Sequence, residues 1–381
     1  MSKSTNKNLS NAKRQKMDEF YTQYKDIEKE VDNYKDQFKG MVVYCNCDNP
    51  EWSNFPKYFI DNFHELKLKK LIVTFFDMNK PVYKLEYNGT QKVKTPMEGQ
   101  GDFHSDECIE ILKDCDIVCT NPPFSKFRNY VAQLVKYDKK FLILGNQNAI
   151  TYKETFSLLK NNKMWLGYNS NKTMEFKLSN DYLRWNRMDD EGNKYGKVPA
   201  ISWFTNMNVA IRGDNIVLDK TYNPIDYPTY DNYDAINVDK VIDIPIDYMG
   251  VMGVPITFMN KHNPDQFEIV KFRKGDDDKD LAINKKCPYF RILIKRKPIQ
   301  FEIVAAMTTT KVDDYNFGYP YINGIKKYAR ILIKRKPIQF EILGIDRYIK
   351  DNPNYGKRFT INGKEKYARI LIKRTEKEVN I

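Results

Sequence analysis

Four residues, Asn121-Pro122-Pro123-Phe124, end the apolar run Ile117-Val118-Cys119-Thr120. Each proline fixes its own φ and drives the residue before it out of the helical region. Asn121 is thereby held extended, with its carboxamide aimed off the end of a strand. The Asn121 side-chain oxygen and the Pro122 carbonyl can both accept hydrogen bonds from one NH2 group. Phe124 adds a flat apolar face for a planar ring. The combination points to transfer onto the amino group of a base. Asn-Pro also starts ordinary turns, so the tetrapeptide alone also fits a turn after a buried strand.

Positioning these residues requires a strand that stops near residue 120. Short apolar runs at 41–45, 71–76, 117–119 and 139–145 read as strands. Helical patterns fall at 17–39, 55–66, 107–113 and 127–135, and residues 78–100 read as an insertion carrying a hairpin. This alternation predicts an α/β fold, a mostly parallel sheet with helices on both faces. In such sheets ligands bind beyond the C-terminal ends of the strands. Asp48, Asp77 and Asn121 all fall at such ends, which favours chemistry over a plain turn.

At 381 residues the chain has room for two domains. A hydrophobic share of 41%, with 26 Tyr and 22 Phe, excludes a disordered chain. No apolar run approaches the roughly 20 residues that span a bilayer, and the polar start has no apolar signal core. A cytoplasmic protein with no membrane contact is expected. Cysteines at 45, 47, 108, 115, 119 and 287 form no Cys-x-x-Cys pair, and the three histidines lie away from ligand spacing with them. Buried free thiols and no metal are expected.

The net charge of +13 is unevenly spread. Residues 283–381 carry 23 Lys and Arg against 9 Asp and Glu, and the other 282 residues carry 40 against 41. A near-neutral body with a basic C-terminal part points to a polyanion bound mainly by that part. The basic part is also repetitive. The segment from Arg291 to Ile303, RILIKRKPIQFEI, recurs at Arg330–Ile342, and RILIKR returns at Arg369–Arg374. A QFEI step, an Ile-Asn step and RILIKR make one unit, present at about 266–299, 300–338 and 339–381. Its alternation and Ile-Asn-Gly steps predict hairpins. With the Tyr- and Asn-rich texture that sets in after 215, the expected domains are 1–215 and 216–381.

Taken together, the chain resembles the EcoRI-type DNA adenine-N6 methyltransferases, which use S-adenosylmethionine (SAM). The resemblance is carried by DEFYTQY (18–24), VVYCNCDNPEWSNFPKYF (42–59), GDFHSDE (101–107), DIVCTNPPFSKF (116–127), KYDKKFLILGN (136–146), YDNYDAINV (230–238) and GVMGVPITF (250–258). NPPF alone would leave RNA or glutamine methylation open. The resemblance implies a Rossmann-like SAM-binding domain followed by a β-rich DNA-recognition region. It gives Asn121, Pro122, Pro123 and Phe124 the catalytic place, and Phe124, with Trp203 or Phe204, the stacking of a flipped target base. Asp77 takes the place of the acid on the cofactor ribose. Asp102 would accept from the adenine amino group of SAM, with Phe103 against the ring. Tyr21, Thr22, Asp48, Ser53, Asn54 and Phe55 would surround the methionine end, although Cys45-Asn46-Cys47-Asp48 stands where most SAM enzymes have a glycine-rich loop. Lys295, Arg296, Lys297, Lys334, Arg335, Lys336, Lys373 and Arg374 suit phosphates of double-stranded DNA. A monomer is expected, paired in the cell with a restriction endonuclease acting on the same site without direct contact.

Overall fold

The computed structural model describes residues 20–178 and 185–297; beyond 297 it describes the backbone of short strands between 301 and 374. Two compact units emerge, Met1–Arg296 and Lys297–Ile381. The expected change near 215 falls inside the first unit.

The first unit is built on one large mixed sheet. Its strands are β1 (Phe20–Thr22), β2 (Val42–Cys45), β3 (Lys70–Val73), β4 (Tyr83–Tyr87), β5 (Lys92–Pro96), β6 (Ile117–Thr120), β7 (Lys140–Asn146), β8 (Trp165–Leu166), β9 (Lys172–Leu178), β10 (Arg187–Met188) and β11 (Lys194–Thr205). The order is β1-β9-β11-β7-β6-β2-β3-β4-β5, with β8 and β10 paired to β11. Only the central β7-β6-β2-β3 pairs are parallel. Both flanks are antiparallel, which corrects the expectation of a mostly parallel sheet. On the β4–β5 side, connection length is the reason. A parallel return needs a crossover of about a dozen residues or more. The links from β3 to β4 and from β4 to β5 are shorter.

Burial in the central strands alternates with period two. Val42 and Tyr44, Val118, and Phe141 and Ile143 enter one core cluster. Val43 and Cys45, Ile117 and Cys119, and Leu142 and Leu144 enter the other. Helices α1 (Tyr24–Val31) and α2 (Asn54–Asp61) cover the second face. Helices α3 (Asp106–Lys113), α4 (Phe127–Lys136) and α5 (Lys153–Lys160) cover the first. The Ser105 hydroxyl caps α3 by accepting from the Cys108 N–H at 3.3 Å, with Asp106 and Glu107 in the first turn and Lys113 in the last, as the helix dipole favours. The long helix expected over 17–39 instead begins at Tyr24. Residues 20–22 pair with β9 at the sheet edge, which satisfies the same backbone groups in another way.

A second sheet shares the first core cluster. It comprises β12 (Ile236–Asn237), β13 (Val251–Pro255), β14 (Phe267–Phe272) and β15 (Arg291–Arg296), in the order β12-β13-β15-β14. Phe272 lies 5.0 Å from Phe156 of α5, centroid to centroid. In the second unit, 301–306 pairs with 331–335 and 340–345 with 370–374, each antiparallel. Short pairs at 321–322/325–326 and 359–361/364–366 fall on the Ile-Asn steps.

Candidate active site

The chain leaves β2 toward β3 on one side, while β6 lies against β2 on the other. This reversal of strand order opens a crevice at the C-terminal ends of β2 and β6. A cleft of about 600 Å³ lies there, within the range of small-molecule sites. Its walls come from four chain segments. Asn46, Cys47, Asp48, Asn49 and Trp52 follow β2; Phe75, Phe76, Asp77 and Met78 follow β3; Gly101, Asp102 and Phe103 precede α3; Asn121, Pro123 and Lys126 follow β6. Tyr21 of β1 adds a further side.

The β3 and pre-α3 segments touch through backbone. Gly101 has φ +73°, and a Cβ there would fall 2.0 Å from the Phe75 carbonyl oxygen, so only glycine permits this approach. The Asp77 N–H donates to the Gln100 carbonyl at 3.1 Å. Asp77 Oδ1 accepts from the Asn79 and Lys80 N–H groups at 2.8 and 3.1 Å.

Asp102 leaves the capping of α3 to Ser105. Its Oδ1 accepts from the His104 N–H at 2.9 Å, and its Oδ2 from Lys126 Nζ at 3.0 Å. Burial raises its pKa, but the His104 N–H, Lys126 and the His104 ring outweigh burial and hold it below the usual carboxylate range. The Lys126 ammonium also lies 5.7 Å from the Phe76 ring centroid and 5.5 Å from that of Phe103. An amino donor between two aromatic faces, bonded to Asp102, is the arrangement an adenine amino group would need. The residues present therefore fit the nucleoside end of SAM.

Asp48 is 5% exposed. It accepts from Ser53 Oγ at 2.6 Å, from the Thr120 hydroxyl and from the Asn121 backbone N–H. Burial pushes it up to about 7 against the pull of these donors. Burial likewise lifts the Cys45, Cys47 and Cys119 thiols well above their ordinary value, which leaves them protonated and weakly nucleophilic. Among the described residues no group of three His, Cys, Asp or Glu could hold a metal ion.

The expected site residues do not all meet in the cleft. Tyr21, Asp48, Asp77, Asp102, Phe103, Asn121 and Pro123 meet in the cleft. Thr22, Ser53, Asn54 and Phe55 stand behind it: Asn54 Nδ2 donates to the Thr22 carbonyl at 2.7 Å, and Ser53 both bonds Asp48 and caps α2. Pro122 is buried, and half-buried Phe124 begins a single 3-10 turn against the α1–α2 core. Trp203 and Phe204 do not reach the cleft, which corrects their placement beside a target base. At 1% and 0% exposure they sit within the β7–β11 pairing, Trp203 against Phe55 and Phe204 against Phe127. Lys126, Phe76 and Trp52 were not expected in the cleft; the signal for Lys126 was its place five residues after Asn121. Lys295 and Arg296 are in β15. Lys297 is exposed. The side chains of Lys334, Arg335, Lys373 and Arg374, and all of Lys336, lie outside the described residues.

No helix among the described residues is long and apolar enough to cross a membrane. No solved structure matches the chain. Its sequence is 52% identical to the type II methyltransferase M.EcoRI of Escherichia coli over 320 residues, covering 78% of this chain and 98% of that protein. It is 39% identical to the type II methyltransferase M.MgeORF184P of Mycoplasma genitalium over 317 residues, 76% of this chain and 99% of that protein. It is 41% identical to the type II methyltransferase M.MpnI of Mycoplasma pneumoniae over 269 residues, 69% and 84% respectively. Residues 8–336 match the family described as adenine-specific methyltransferase EcoRI, and with that extent of match the chain belongs to this family.

Proposed function

We propose that the protein transfers the methyl group of SAM to N6 of an adenine in double-stranded DNA, as the modification enzyme of a type II restriction–modification pair. The observation that carries this is the meeting of Asn121 and Asp102 in one cleft at the strand-order reversal. Bound there, SAM supplies an activated sulfonium methyl. Asp102 and Phe103 would hold its adenine, Asp77 its ribose, and Tyr21 and the main chain of the 46–49 turn the methionine end.

Asn121 and the Pro122 carbonyl do the work on the acceptor. An adenine amino nitrogen is a poor nucleophile because its lone pair is conjugated into the ring. Two acceptors drawing on its hydrogens favour a tetrahedral nitrogen and localise the pair toward the methyl. Positioning supplies much of the rate. The target base leaves the duplex to reach the cleft, and Phe124 stacks on it. Residues 216–296 and the repeats contribute the DNA-binding surface, with Lys295, Arg296, Lys297 and the later Lys-Arg pairs on phosphates. The protein acts in the cytoplasm as a monomer, without contact with its endonuclease partner.

Incubation with tritium-labelled SAM and double-stranded DNA tests the proposal, with N6-methyladenine as the expected product. Label appearing in RNA or in a glutamine amide, with none in adenine, would overturn it.

A further inference from the structure

The crevice between β2 and β6 is bridged by one side chain. Asp48 follows β2, and its own N–H donates to the Thr74 carbonyl after β3 at 3.3 Å. Its carboxylate reaches the other way. It takes the Thr120 hydroxyl and the Asn121 backbone N–H from the end of β6, and Ser53 Oγ, at 2.6 Å, from the start of α2. Thr120 is wholly buried and Ser53 nearly so. The end of β6 and the start of α2 therefore converge on one carboxylate of the post-β2 turn, while its main chain is tied to the end of β3. With its oxygens engaged by these donors, it is spent on the protein.

We infer that Asp48 is a positioning residue for methyl transfer, holding the Asn121–Pro122 turn at the height and angle that aim both acceptors at the target amino group. The inference rests on the role proposed above for Asn121. A carboxylate suits the task because it accepts on every side and donates on none. A neutral amide offers one accepting oxygen in place of two, so at least one of the three converging bonds is lost or reversed. Protonation has the same consequence, since the acid gains an O–H where a donor already points.

The surroundings keep that proton assigned to Asp48. The titratable groups facing it are Cys45 and Cys47 on its own segment, Cys119 on β6 and Tyr130 on α4. Burial raises all four well above their ordinary values, so they stay neutral while Asp48 ionises near 7. The Tyr130 hydroxyl is in addition bonded to Asn46 Oδ1.

The test is single-turnover methylation by Asp48→Asn across neutral pH, with SAM affinity measured calorimetrically on the same protein. For the natural chain the rate should rise with pH through about 7. The variant should be about 10²-fold slower, the scale of a small misplacement of reacting groups, with no rise near 7. Its SAM affinity should change by less than about threefold, under 1 kcal/mol. A rise near 7 that survives in Asp48→Asn overturns the inference, as does a loss of SAM affinity as large as the loss of rate. Should Asp48→Asn fail to fold, Thr120→Val and Thr120→Ser decide: Val should slow transfer and Ser restore it, and equal rates overturn the inference. Asn121→Ala at full rate would remove the underlying reading as well, whereas an inactive Asn121→Ala beside an unaltered Asp48→Asn would remove only the role of Asp48.

Discussion

The hexapeptide Arg-Ile-Leu-Ile-Lys-Arg occurs three times, and its surroundings differ. At 291–296 it is β15, flanked on one side by β14 and on the other by β13. Ile292, Leu293 and Ile294 are all fully buried there. At 331–335 and 370–374 the same residues pair with one strand each, in separate two-stranded sheets. The pairing itself is copied faithfully: in every case the partner begins Phe-Glu-Ile, and the register slips just after that isoleucine. Local sequence thus sets the ladder and its bulge, while at 291–296 a third strand pairs with the other edge. Val251–Pro255 provides that strand, and its sequence occurs once. The first unit holds a complete cleft and a complete second sheet; the second unit adds strands and charge.

The sharpest way to break this contrast is to place the chemistry elsewhere. Asn121→Ala should lower single-turnover methylation by about 10²- to 10³-fold, the usual cost of losing one preorganised hydrogen-bonding group at a reacting centre. Lys334→Ala with Arg335→Ala should leave that rate unchanged at saturating DNA. A rate loss of similar size from the repeat variant would show that the second unit takes part in catalysis.

The hexapeptide gives the next test. Leu293→Ala should destabilise the first unit by about 2–5 kcal/mol, as large-to-small changes in a filled core do. Leu332→Ala and Leu371→Ala should each cost less than about 1 kcal/mol, because two-stranded hairpins are marginal on their own. Thermal unfolding followed by near-UV circular dichroism reads all three. Equal costs would mean that the later copies possess a core like the first.

These two sets of residues also differ in how far the sequence disclosed them. The strand ending at Thr120, the prolines after it and the acids at 48, 77 and 102 announce themselves, because strand termination and proline restriction are local. The α3 and α4 helices and the 78–100 hairpin were legible for the same reason. The antiparallel flanks were not, since the pairing of β11 with β7 and of β1 with β9 joins residues far apart in the chain. Trp203 and Phe204 misled because an apolar aromatic run reads alike on a core strand and at a base pocket. Asp48 was legible as a site residue. Its bonds to Thr120 and Asn121, more than seventy positions away, depend on the order of the strands.

Ending the chain after Arg296 removes the second unit and sharpens the division of labour. Residues 297–381 carry 18 Lys and Arg against 9 Asp and Glu. DNA affinity should therefore fall and its salt dependence should flatten, by about one unit of slope for each phosphate left without its cation. SAM affinity should be unchanged, because every cleft residue lies before 127. A parallel loss of SAM binding would contradict the completeness of the first unit.

The smallest effect concerns a lysine that serves the cleft. Lys126 follows Phe124 by two residues, and its ammonium, near the Phe76 and Phe103 rings, bonds Asp102, where the cofactor's adenine is proposed to lie. Both partners are partly exposed, and such pairs are worth about 0–1 kcal/mol. Lys126→Met should therefore tighten SAM binding by no more than about fivefold, the factor that 1 kcal/mol allows. A lysine of the repeats changed in the same way should leave SAM binding alone and weaken only DNA binding. The competition is direct: the Lys126 ammonium occupies the side of Asp102 Oδ2 on which an adenine amino group would donate. Calorimetric titration with SAM measures the difference. Weaker binding by Lys126→Met would mean that Lys126 assists the cofactor instead of competing with it for Asp102.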